Sequence, residues 1–61
     1  MGATSGDIRR IIDRLVQERQ SLRASEADAA ALHANREALA YWQLELSRTL
    51  AREAAAAQSA A

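Results

Sequence analysis

Arg23-Ala24-Ser25-Glu26-Ala27-Asp28 decides the architecture of this 61-residue chain, because it separates two apolar stripes. Before it, Ile8, Ile11, Ile12, Leu15, Val16 and Leu22 recur at helical spacings. At 100° per residue they cover an arc of roughly 140°, a broad core-facing stripe. After it, Leu32, Leu39, Trp42, Leu46 and Leu50 fall within about 80° of one another. Extending the first stripe at 3.6 residues per turn leaves Leu32 and Leu39 about 100–120° out of line, and a period of 3.5 still misses by about 50°. A rival reading is one unbroken helix of about 50 residues, since no Gly or Pro forces a turn, but this misfit weighs against it. Ser25 and Asp28 also form an S-x-x-D capping box, a helix-start signal with nothing to cap inside a continuous helix. The segment therefore predicts a tight turn around Ala24 and Ser25. The expected architecture is all-α: an antiparallel two-helix hairpin over about residues 5–23 and 26–57.

Outward from the turn, the punctuation agrees. Both glycines lie in the first six residues, proline is absent, and Ala, Leu, Arg, Glu and Gln dominate the remainder. Thr4 and Asp7 form a T-x-x-D box that starts the first helix near Ser5. Arg9 with Asp13 and Arg14 with Glu18 are spaced for i,i+4 pairing on its flanks. Residues 1–4 read as a flexible N-terminus, and residues 58–61, after the Ala-rich run 54–57, as a frayed tail.

Composition excludes much. Eight arginines, with no lysine, balance eight acidic residues, so bulk charge draws the chain to neither nucleic acid nor an anionic membrane. No apolar stretch approaches the roughly 20 residues that span a bilayer. No basic segment leads into an apolar one at the start, so no signal peptide is read, and Gly6 stands where a myristoylation motif wants Ser or Thr. The expectation is a soluble, cytoplasmic protein. With no cysteine and one histidine, a thiolate or histidine-rich metal site within one chain and a nucleophile–base–orienter set are excluded, and no enzyme, cofactor or metal is expected. His33 and Glu37 share an i,i+4 face, but the Glu-x-x-His spacing of helical metal sites is missing, since Ala30 stands three before His33.

A hairpin reversing at residue 24 or 25 places Ser5 level with Leu44 and Glu45, and Ile8 level with Tyr41 and Trp42. Leu46 and Leu50 then project past the first helix. Tyr41 and Leu44 lie about 140–200° from Leu39, off the intrachain seam and beside the small residues Ala40 and Ala51. These features predict an interface of Trp42, Leu46, Leu50, Tyr41, Leu44 and Ile8, through which two chains complete a four-helix bundle. The expected role is a small homodimeric scaffold or adaptor. An accessory subunit docking its overhang on a larger protein is the alternative. A third reading has Arg19 and Arg36, both near the seam, gripping an anionic small molecule within the bundle, or else pairing with Glu18 or Glu45.

Ile8-x-x-Ile11-x-x-x-Leu15-Val16-x-Glu18-x-x-x-Leu22-Arg23, followed by Leu39-x-x-Trp42-x-Leu44 and Arg48, resembles a family of short actinobacterial helical proteins of unknown function. The resemblance covers about residues 8–50. It implies a hairpin with a Leu-Val-x-Glu first helix and a tryptophan in the second, and it implies no activity. This chain has a shorter connection and an Ala-rich tail.

Overall fold

The computed structural model describes residues 3–60, which form two helices and no strand: α1, Ser5–Ala24, and α2, Ala29–Ala60. Met1, Gly2 and Ala61, parts of the expected flexible N-terminus and frayed tail, lie outside the described residues. The start of α1 is as the sequence predicts. The Asp7 amide donates to Thr4 Oγ1 and the Thr4 amide to Asp7 Oδ2, each at 3.2 Å, closing a reciprocal box.

The connection departs from expectation. It occupies residues 25–28, and Glu26 adopts a left-handed backbone with φ of 56°. That conformation lets the Ala27 amide donate to Leu22 O at 2.9 Å and the Glu26 amide to Arg23 O at 3.2 Å. These bonds satisfy carbonyls that the end of α1 would otherwise leave orphaned. Ser25 belongs to this closure as well, with its hydroxyl donating to Leu22 O at 3.2 Å. The predicted Ser25–Asp28 box therefore does not form, and the second helix does not begin at Glu26. A residue held in the left-handed region cannot be the first turn of a helix. Asp28 alone caps α2, accepting from the Ala31 amide at 2.9 Å.

A longer connection moves the register. Ser5 does not lie level with Leu44 and Glu45; its amide and hydroxyl donate to Glu53, at 3.0 and 2.7 Å. Helical side chains lean toward the N-terminus of their helix, so Glu53 reaches back to clamp the open end. Leu46 is consequently half-buried against its own chain, not stranded beyond it. The unaccompanied part of α2 is residues 54–60, about 10 Å of helix. The hairpin measures 51 × 16 × 15 Å, and none of its helices is long and apolar enough to cross a membrane.

The seam follows a heptad on each helix. On α1 it runs through Ser5, Ile8, Ile12, Leu15, Arg19 and Leu22; on α2 through Asn35, Leu39, Trp42, Leu46, Thr49 and Glu53. Alternate steps of three and four keep each set facing its neighbour. Among the described residues, Ile8 and Leu39 are the only apolar side chains classed as buried, and they share the interior with Asn35 and Thr49.

Candidate interaction surface

The polar members of the seam fix how the two helices meet. Asn35, 3% exposed, donates from Nδ2 to Leu15 O at 3.0 Å, a cross-helix bond that pins one helix to the other. Its Oδ1 is buried and meets no hydrogen-bond donor among the described residues. Thr49 is covered by Arg52, whose Nη2 donates to Thr49 Oγ1 at 2.9 Å. The Glu53 carboxyl is held below the usual glutamate range, first by the Ser5 amide, then by the Ser5 hydroxyl, with Arg9 and Arg52 adding to the effect. Asp7 is lowered likewise by the Thr4 amide and hydroxyl, with a smaller contribution from Arg10.

The six residues expected at an interface divide by position. Ile8, 2% exposed, is sealed inside the hairpin, and Trp42 and Leu46 line its margin, half-buried. Tyr41, Leu44 and Leu50 are 56%, 52% and 40% exposed, uncovered by their own chain. Tyr41 packs edge-on against Trp42 with ring centres 5.1 Å apart. Leu44 and Leu50 border a strip of α2 containing Ala40, Ser47, Ala51 and Ala54, all exposed and uncharged. By helical geometry this strip faces away from the seam.

The charged groups are arranged differently from the sequence reading. Ion pairs join Arg10 to Asp7 and Arg48 to Glu45, each at 3.2 Å and spaced i,i+3. Arg9–Asp13 and Arg14–Glu18 do not pair among the described residues, and neither do Arg19 or Arg36 with Glu18 or Glu45. Asp7 is drawn into the cap of α1, which puts it beside Arg10, while Glu45 is met by the arginine on its own helix. His33 Nε2 and Glu37 Oε1 lie 2.7 Å apart on an exposed flank. No group of three potential metal ligands gathers among the described residues.

The sequence reading missed Asn35, Thr49 and Glu53 because it followed large apolar residues alone. The available signal was the heptad, which continues unbroken through all three. Arg19, Arg23 and Arg36 line a single depression near the turn end, together with Leu32, Leu39, Ala40 and Gln43. No protein-family model, curated protein or solved structure matches this chain.

Proposed function

We propose that the hairpin is a self-associating helical module, two copies of which pack through α2 into a four-helix bundle that serves as a scaffold or adaptor. The observation carrying this reading is the mismatch between a small interior and a large uncovered surface. The chain exposes 4751 Å², whereas a compact monomer of this mass exposes about 3,900 Å². The excess of about 850 Å² is close to the roughly 800 Å² per partner that a stable interface buries. The uncharged strip between Leu44 and Leu50 supplies a surface of suitable chemistry, and its alanines allow close helix approach.

Sedimentation equilibrium tests it. At micromolar concentration the expected mass is twice the 6.6 kDa of the chain. Leu44 is half exposed in the single hairpin, so Leu44→Glu leaves intrachain packing intact and is expected to shift the equilibrium toward monomer with a lower melting temperature. A wild-type monomer that melts cooperatively in dilute buffer overturns the proposal. A monomer that gains helicity only with a larger partner protein overturns it in favour of an accessory subunit.

A further inference from the structure

We infer that the depression near the turn end is a binding site for a small phosphate monoester, on a face of α2 whose Ala40 also belongs to the strip proposed for self-association. The cavity has a volume of about 250 Å³ and draws Arg19 and Arg23 from α1 and Arg36 from α2 around a floor formed by Leu32 and Leu39. Among the described residues, no carboxylate lies within 4.0 Å of these three guanidinium groups. Three like charges facing one cavity repel one another unless an anion sits between them. Elsewhere on this chain, Arg10 and Arg48 each meet a carboxylate and Arg52 binds a hydroxyl, while Arg9 and Arg14 form no ion pair among the described residues, so what sets Arg19, Arg23 and Arg36 apart is their convergence on one cavity.

The chemistry narrows the ligand. A guanidinium is a planar fork of donors suited to oxyanions. A phosphate monoester carries a charge of about −1.5 to −2 near pH 7 and offers three terminal oxygens, one for each arginine. A carboxylate offers two oxygens and a single charge. Leu32 and Leu39 select for a compact carbon body on the ester oxygen, and Gln43 adds an amide to the lining. At this volume the body is no larger than a single ring, since pockets for drug-sized ligands start at roughly 300 Å³. The zero net charge of the whole chain favours a small ligand over a long polyanion.

Titration of the full chain with phenyl phosphate and with inorganic phosphate, followed by amide chemical shifts and thermal melting, tests the inference. Phenyl phosphate is expected to shift amides of residues around Arg19, Arg23 and Arg36, to raise the melting temperature, and to bind more tightly than inorganic phosphate. Arg36 is solvent-exposed, so Arg36→Gln preserves the fold and is expected to weaken binding about tenfold or more, the loss of one charge-assisted contact. Arg48→Gln, remote from the cavity, is expected to bind as wild type. The inference is overturned if phenyl phosphate causes no localised shifts at millimolar concentration. It is also overturned if both variants weaken binding equally, or if inorganic phosphate binds as well as the ester. Because Ala40 lines both the cavity and the strip proposed for self-association, sedimentation equilibrium at the same concentration, with and without phenyl phosphate, reads the association state separately from the localised shifts that report binding.

Discussion

Glu26→Gly is expected to stabilise the hairpin, although it deletes a side chain and places glycine between two helices. Glu26 is the one non-glycine residue with a positive φ among those described, at 56°. An L-residue held in that region is strained by roughly 1–2 kcal/mol, because Cβ crowds the following carbonyl. Glycine removes the strain but gains freedom in the unfolded chain, which costs about 0.4–1 kcal/mol. The net gain is about 0.5–1 kcal/mol. The Glu26 side chain makes no hydrogen bond or ion pair among the described residues, so little is lost with it. Urea denaturation followed by circular dichroism at fixed protein concentration measures the effect. With an m-value of about 1 kcal/mol per M, the midpoint should rise by about 0.5–1 M. Glu26→Ala is the control. It retains Cβ and the strain, and is expected to stay within about 0.5 kcal/mol of wild type. A midpoint lowered by Glu26→Gly, or raised as much by Glu26→Ala, would refute the left-handed closure of α1.

Other substitutions probe the caps, the seam and the clamp. Asn35→Ala forfeits the bond to Leu15 O, worth about 1 kcal/mol, but removes an unsatisfied buried oxygen costing about 1–3 kcal/mol. Denaturation should show a stability equal to or above wild type, and a loss beyond about 1 kcal/mol would mean that Oδ1 is satisfied. Ile8→Ala, in the best-sealed apolar position, should cost about 2–5 kcal/mol and collapse the helical signal of so small a protein. Asp28→Ala removes the cap of α2 and should cost about 1 kcal/mol, whereas Ser25→Ala, outside that cap, should cost less. Glu53 and Asp7 both have folded-state pKa values depressed below those of the unfolded chain. Their contribution is therefore fully present above the ordinary carboxylate range and is lost as pH falls through the folded values. Acid titration of the melting temperature should show this loss, and Glu53→Gln should flatten part of it.

Much of the fold could be read from residue type and spacing. The T-x-x-D box at Thr4 placed the start of α1, and the angular misfit between the stripes of Ile8 and Leu39 required a reversal. What failed was local and followed from one substitution of roles. Helix ends of this type commonly place glycine at the left-handed position, and here the position is filled by Glu26, so composition alone gave no sign of it. With the true turn hidden, the S-x-x-D spacing points to Ser25 as the cap of α2, whereas Ser25 closes α1. A turn at Ala24–Ser25 would leave Leu46 in an overhang, but the longer connection brings it level with α1, which covers it. Of the candidate interface, exposure at Tyr41 and Leu44 was legible from helical angles, while the sealing of Ile8 depended on the register.

Helicity, the existence of a bend and the amphipathic faces are set by short-range rules, since propensity, capping and periodicity act over a few residues. They were determined by the sequence read on its own. Which residues lie opposite each other is a long-range quantity, governed by the backbone geometry of residues 25–28 and fixed by contacts between distant positions. Ser5 with Glu53 and the gathering of three arginines at one depression were therefore decided only when the two helices were brought together in space.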